Sequence, residues 1–404
     1  MIEEKPVYRW AMLFLLMLVS LSVTGICMAV MPALFDEIRK ELGITHGQIG
    51  IIWGSTALGT LLTSLVGGTL GDRYGVKRVI GLGIIAASIT CALRAILPSF
   101  GGLTLSMILF GMASGFIHPN IPKAVGMWFE PRELGRAFGA TMVGAASGFA
   151  IALMAGAALS SLMGGWKAVM WLTVAISFGS FIIWMALARE RTGVAIDHLR
   201  QGVSTREGLR SLLLVKDLWF VALMGLCVGG GAMATIGLLP EILEEKGMSS
   251  TMAGIYVSIS TWTVVGFNLI GPSVSDRVGL RKPFIWPFLL ISVFTVTFFG
   301  VFTGMALIVT IVLYSTGLGV SLPLFRTLII ENERVSFLLA GSAFGIIVTV
   351  NYIGDMVIPI VMGVIIDVTG KYWPGFLFVA VLFAIAAILA AAIKETGLNT
   401  KIED

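Results

Sequence analysis

Charge is scarce in this sequence: 12% of its 404 residues are Asp, Glu, Lys or Arg, about half the share that a water-soluble domain carries. Set against 57% hydrophobic residues, that deficit excludes a soluble globular domain and leaves lipid as the solvent. Histidine is scarcer still. His46, His118 and His198 are spread along the chain with no metal-ligand spacing, so no metal centre is expected. The three cysteines, Cys27, Cys91 and Cys227, all fall in apolar runs and read as small packing residues without a disulfide framework. No glycine loop leads into a Lys-Ser or Lys-Thr pair, which excludes a nucleotide-phosphate site of that kind. The formal net charge of +4 comes with no basic patch interleaved with aromatics, so nucleic acid is not a partner. Neither an enzyme centre nor a cofactor is expected.

What the chain has in abundance is long apolar runs. About twelve are long enough to cross a bilayer, which takes roughly 20 residues. They lie near 10 to 34, 47 to 69, 77 to 97, 103 to 126, 136 to 161, 166 to 188, 217 to 240, 251 to 273, 282 to 302, 305 to 327, 338 to 362 and 374 to 393, and are numbered here as spans 1 to 12. In hydrocarbon every backbone polar group needs an internal partner, so spans of this length are helices. Span 1 has no small-residue cleavage site behind a short core and reads as a membrane helix, not a signal peptide. If both termini face the cytoplasm, the tails and the even-to-odd loops collect about 20 of the 27 basic residues. Arg39, Lys40, Lys167, Lys246 and Lys371 fall in the opposite loops. This asymmetry predicts a multi-pass protein of the cytoplasmic membrane with both ends inside.

One charged, glycine-containing stretch recurs. Gly67-Gly68-Thr69-Leu70-Gly71-Asp72-Arg73-Tyr74-Gly75-Val76-Lys77-Arg78 joins spans 2 and 3, and Gly271-Pro272-Ser273-Val274-Ser275-Asp276-Arg277-Val278-Gly279-Leu280-Arg281-Lys282 joins spans 8 and 9 about 204 positions later. A hinge repeated at matching places in two hydrophobic halves marks one membrane unit used twice. Its pattern of Gly, Asp-Arg, Gly and two basic residues resembles the signature between helices 2 and 3 of the major facilitator superfamily. The resemblance covers nearly the whole chain. It implies an all-α fold of twelve transmembrane helices in two pseudo-symmetric six-helix bundles, 1–188 and 217–404, joined by a cytoplasmic linker over 189–216. It also implies a conformational gate made of Gly68, Asp72, Arg73, Gly75, Lys77 and Arg78 with Asp276, Arg277, Gly279 and Arg281, which holds the cytoplasmic side shut when the transporter faces outward. By their own chemistry, Asp72 and Asp276 are expected to cap or attract the positive end of a facing helix. Pro272 stands where the first copy has Gly68, so the second copy is expected to latch less well.

Smaller echoes support the duplication. Met31-Pro32 is followed by acids as Leu239-Pro240 is, and Gln48-Ile49-Gly50-Ile51 parallels Met252-Ala253-Gly254-Ile255. Gly135-Arg136-Ala137-Phe138-Gly139 on span 5 aligns with Gly341-Ser342-Ala343-Phe344-Gly345 on span 11, which sets Gly148 opposite Gly354. Small residues at these positions predict close helix packing. In the linker, Ser204-Thr205-Arg206-Glu207 starts like a capped helix, and Leu209, Leu212 and Leu213 give it an apolar stripe suited to the membrane surface.

Asp355 is the sharpest candidate for chemistry. It lies roughly 25 Å along span 11 at 1.5 Å per residue, still inside the hydrocarbon, where a carboxylate costs several kcal/mol unless it is paired, hydrated or protonated. That suits proton coupling; the bland alternative is a structural hydrogen bond to a neighbouring helix. Asn351 lies one turn away on the same face. Phe149 holds the matching place on span 5. On span 4, Ile117-His118-Pro119-Asn120-Ile121-Pro122-Lys123 carries two prolines that kink the helix and free carbonyls. His118 is either a proton relay or anion donor, or a bridge between helices. Asn120, Trp53, Asn268 and Trp262 are candidate cavity-lining residues, with interhelical packing as the alternative. Arg94 and Lys123 are expected to snorkel toward the membrane surfaces, and Arg326 to anchor the cytoplasmic end of span 10.

The run Trp128-Phe129-Glu130-Pro131-Arg132-Glu133-Leu134-Gly135 after span 4 resembles the loop of superfamily members that carry small anions, the cyanate and nitrate type and the organic anion symporters. The arginines that nitrate-type members carry in helices 2 and 8 are missing here. The arginine and the glycine-proline pair usual in drug-proton antiporters are replaced by Met107 and Gly148-Phe149. The reading is therefore a secondary transporter, a symporter of a small and anionic solute coupled to protons. One central site is expected between the halves, with Asp355 and His118 handling the proton and Asn351, His118 and Asn120 the solute. Its other partners are membrane lipids, and it is expected to work as a monomer. Proton-driven drug or metabolite export is the alternative; a channel or non-transporting sensor is the remaining class.

Overall fold

A computed structural model of the chain describes residues 8–130, 133–190, 212–330 and 340–396. The short amphipathic helix expected in the linker lies largely outside the described residues. Those described are helical almost throughout: α1 Tyr8–Val19, α2 Phe35–Leu42, α3 His46–Tyr74, α4 Val76–Ile96, α5 Phe100–Ile117, α6 Asn120–Trp128, α7 Leu134–Met163, α8 Trp166–Leu187, α9 Lys216–Glu245, α10 Ser250–Val278, α11 Trp286–Thr297, α12 Gly304–Ile330, α13 Ala340–Thr369 and α14 Trp373–Ala392. Among them eleven helical stretches are long and apolar enough to cross a membrane, and Lys282–Thr297, at span 9, is a shorter apolar one.

Spans 1 and 4 depart from simple rods in ways that matter for the site. Span 1 runs from α1 into a π-helical segment, Ser20–Cys27, and Pro32 then opens a 3-10 turn that leads into α2 instead of ending the helix. Proline is tolerated there because the first turn of a helix has no use for its missing N–H. Span 4 breaks between α5 and α6 at His118-Pro119, where the two prolines foretold a kink.

The chain groups into two compact units, residues 1–194 with 239–258 and residues 195–238 with 259–404. In unit 1, α3 and α5 approach backbone to backbone. A methyl group on Gly59 would overlap the Ile108 carbonyl, and one on Gly111 the Thr56 carbonyl. Thr60 and Thr63 donate across the seam to the carbonyls of Gly111, at 3.1 Å, and Met112, at 2.8 Å. The π segment lies as closely on α7, with Gly25 against Ala145 and Gly148. A buried core of Leu16, Val23, Ile80, Ile84, Phe110 and Trp184 fills the unit.

Unit 2 repeats the device. Gly230 of α9 meets Gly354 of α13, and Gly354 in turn meets Leu226, as Gly148 meets Leu21 in unit 1. The predicted correspondence of Gly148 with Gly354 is thus a correspondence of contacts. Phe299, Tyr314, Phe376 and Phe383 form an aromatic cluster, with ring centroids 5.1 to 5.9 Å apart.

Candidate functional site

In unit 2, Asn351 and Asp355 stand one turn apart on α13 and face two glycines one turn apart on α9. Asp355 Oδ1 would lie 3.1 Å from a methyl group on Gly229, and such a group on Gly225 would overlap Asn351. The missing side chains therefore make the space that the two polar groups fill. The Oδ1 atom of Asn351 is buried and without a hydrogen bond, and among the described residues no donor reaches Asp355. A buried amide oxygen without a partner, next to a carboxylate that no donor reaches, calls for a proton, a water or a ligand. Asn268 is exposed, and Trp262 is 48% exposed on the same helix, α10.

In unit 1 the candidates separate. His118 caps α5 through its backbone N–H to Ser114, at 2.9 Å, and its ring is half-buried. Asn120 is fully buried, and both of its amide hydrogens go to carbonyls, of Gly67 and of Phe116, each at 2.8 Å. Its Oδ1 lies against Gly71. Asn120 thereby straps α6 to the end of α3. Trp53 is 1% exposed and stands edge-on to Phe35.

The hinge is ordered by glutamates that come from far along the chain. Gly75 takes φ +90°, and Glu190 accepts from the amides of Val76 and Lys77 at 2.8 and 2.9 Å. In unit 2, Gly279 takes φ +74°, and Glu395 accepts from the amides of Arg281 and Lys282 at 2.8 and 2.9 Å. The capping role expected of Asp72 and Asp276 falls instead to Glu190 and Glu395, whose carboxylates meet the orphan N–H groups of the following helical turn. Asp72 pairs with Lys123 at 2.6 Å, and Lys123 also donates to the Gly68 carbonyl. The snorkelling expected of Lys123 thus gives way to a contact inside the hinge. Asp276 pairs with Arg281, which also donates to Ser275. Arg73 lies over the Tyr74 ring, while Arg78 and Arg277 are exposed.

Arg94 is the clearest correction. Expected to snorkel, it is fully buried, donates to the Cys27 carbonyl at 2.6 Å and lies 4.5 Å over the Phe110 ring. The π segment supplies the reason: wider winding disturbs the regular ladder of carbonyl acceptors, and the guanidinium takes the carbonyl at its end.

A further cluster was missed in the sequence. At the end of unit 1 opposite the hinge, Arg39 of α2 bridges Glu241 and Glu245 of α9, with Asp36 and His46 beside them. The acids after Pro240 were visible; their pairing with a residue some two hundred positions earlier was not.

A family model described as Major Facilitator Superfamily matches residues 12–337 and 221–399. The "Probable sulfoacetate transporter SauU" of Cupriavidus necator is 22% identical over 384 residues, covering 88% of this chain and 87% of that protein. The "Hexuronate transporter" of Bacillus subtilis is 24% identical over 87% of this chain and 86% of its own. The "Multidrug resistance protein MdtG" of Escherichia coli is 25% identical over 94% and 93%. Among solved structures, a bacterial homologue of the human lysosomal transporter Spinster, inward-facing and unoccupied, superposes with a TM-score of 0.79 at 17% identity and covers 96% of each chain.

Proposed function

The chain belongs to the major facilitator superfamily, and from that premise we propose that it is a proton-linked symporter of a small organic anion, with both termini on the cytoplasmic side. The observation that carries the reading is the Asp355 carboxylate, set in a membrane-spanning helix against Gly229 with no donor among the described residues. A carboxylate so placed costs several kcal/mol unless it is paired, hydrated or protonated, which suits it to carry the coupling. Asn351, one turn away with an unsatisfied oxygen, is the residue of unit 2 assigned to the solute, as His118 is in unit 1. The names of the relatives at 22 and 24% identity, for sulfoacetate and hexuronate, favour an anion, as does that of the "Probable galactarate/D-glucarate transporter GudP" of Bacillus subtilis, 24% identical over 99% of this chain and 96% of its own. His118 serves as a second proton group, and the paired hinge copies act as the gate.

The test is proton flux in proteoliposomes holding a pH dye, with sulfoacetate, glucuronate and glucarate added one at a time. Flux with one of them, absent from empty vesicles, supports the reading. Asp355→Asn is expected to abolish proton-driven accumulation to the empty-vesicle level while leaving solute exchange. Full accumulation in that variant overturns the assignment. Drug export is the second reading, favoured by the likeness to MdtG. Flux triggered by cationic dyes and by none of the anions would select it.

A further inference from the structure

Three elements of unit 1 converge at its end opposite the hinge. The helix α2 brings Asp36 and Arg39. His46 opens α3, fixed there by a reciprocal cap in which Thr45 accepts from the Gln48 amide and Gln48 from the Thr45 amide. The last turns of α9 bring Glu241 and Glu245, four residues apart and therefore on one face. Arg39 bridges both carboxylates, with its Nη2 3.2 Å from Glu245 and 3.6 Å from Asp36. The Nε2 atom of His46 lies 3.3 Å from Glu241 Oε1. Glu241 is 1% exposed, and neither of its oxygens accepts a hydrogen bond, so ionic contact is what offsets its burial.

We propose that His46, Glu241 and Glu245 form a binding site for a divalent transition-metal ion, at which the Arg39 guanidinium is the resting occupant. The ligand atoms of the three residues all lie within 4.8 Å of one another, a spread that side-chain rotations close to metal–ligand distances of about 2.0–2.2 Å. An imidazole nitrogen with two carboxylates is a donor set for Zn²⁺, Co²⁺ or Mn²⁺ and poor for a soft ion that seeks thiolates. Local charges permit the exchange. Asp36, Glu241, Glu244 and Glu245 put four carboxylates at this end of α2 and α9, against Arg39, Lys40 and Lys246, and Lys40 is already paired with Asp36 at 2.6 Å. The carboxylates of Glu241 and Glu245 together match the charge of a dication, and Arg39, once displaced, has Asp36 at hand to receive it. A cavity of about 520 Å³, lined in part by Asp36, Glu37, Lys40, Glu244 and Ser250, lies on the Asp36 side of the cluster. The histidine spacing in the sequence hid this set, because its ligands come from elements nearly two hundred residues apart.

The probe is Co²⁺, titrated into the full-length protein in detergent with its affinity tag removed, and followed by the visible absorption of the bound ion. The wild type is expected to saturate with one equivalent. His46→Gln, which leaves the Thr45 cap untouched, is expected to lose the signal. Glu245→Gln, at a 40% exposed side chain, is expected to weaken binding about 10- to 100-fold, the range seen for even indirect partners of a metal. Arg39→Gln is expected to tighten it, because the competing cation is gone. Elution profile and thermal unfolding confirm that each variant is folded, and the first two variants avoid the deeply buried Glu241. No absorption in the wild type with Co²⁺ in large excess overturns the proposal, and so does a spectrum that His46→Gln leaves unchanged. Weaker binding in Arg39→Gln overturns the competition between guanidinium and metal.

Discussion

In unit 1 the hinge aspartate, Asp72, reaches out to Lys123 of α6, whereas its counterpart in unit 2, Asp276, turns back on Arg281 five residues along its own chain. The glutamates behind them behave alike. Glu190 and Glu395 each receive two successive backbone amides, at 2.8 and 2.9 Å in both units. Duplication has kept what the backbone demands, a carboxylate for the orphan amides of a helix start, and has let the pairing of side chains diverge. The glycine contacts follow the same division. Gly25 on Gly148 and Gly230 on Gly354 are one contact made twice, while the polar residues near them, Asn351 and Asp355, occur in unit 2 alone.

The comparison breaks first, and hardest, at the glycines. Gly25→Leu and Gly230→Leu each drive a side chain into backbone, since the first added carbon alone would stand 2.5 Å from the Ala145 and Gly354 carbonyls respectively. Each is expected to cost about 3 kcal/mol, the upper part of the range for overpacking, seen as a fall in unfolding temperature and loss of monodisperse protein. Equal losses sustain the equivalence of the two contacts. A tolerant Gly230→Leu beside an unfolded Gly25→Leu would end it.

The capping glutamates come next. Glu190→Gln and Glu395→Gln keep one acceptor and lose the charge, so each is expected to cost about 1–2 kcal/mol, the scale of hydrogen bonds to charged groups and of helix caps. Thermal unfolding of the two variants side by side reads the match. A difference of more than twofold in cost would mean that one cap is incidental.

The sequence made the fold legible because its signal is repetitive: long apolar runs, a hinge stated twice and glycines at corresponding places. The family and the helical architecture followed from those. Less could be read where contact joins distant parts of the chain. Nothing near Val76 announces that Glu190, 114 positions on, will cap it, and nothing near Arg39 points to Glu241. Arg94 was misread for a related reason. A basic residue near the end of a span usually reaches for the surface, but here the π segment presents the Cys27 carbonyl and Phe110 presents its ring on the inward side. Asp355 and Asn351 stood out by composition alone, since polar side chains inside a span are rare. That they face Gly225 and Gly229 needed the three-dimensional arrangement.

The smallest expected effect sharpens the contrast between the two aspartates. The side chains of Asp72 and Lys123 are 53% and 27% exposed, so their coupling in a double-mutant cycle of Asp72→Asn and Lys123→Met should be no more than about 1 kcal/mol and should shrink as salt is added. Lys123 retains the Gly68 carbonyl when Asp72 is neutralised, which limits the loss further. Arg281, at 8% exposure, is held by Ser275 as well as by Asp276. Its contact should therefore resist salt, even though its aspartate is the more exposed of the two, at 61%. Unfolding of both aspartate variants at low and high ionic strength separates the cases: salt erases the cost of Asp72→Asn and leaves that of Asp276→Asn. Equal salt dependence would show that the two hinges are braced alike after all, and that the divergence in pairing has no energetic weight.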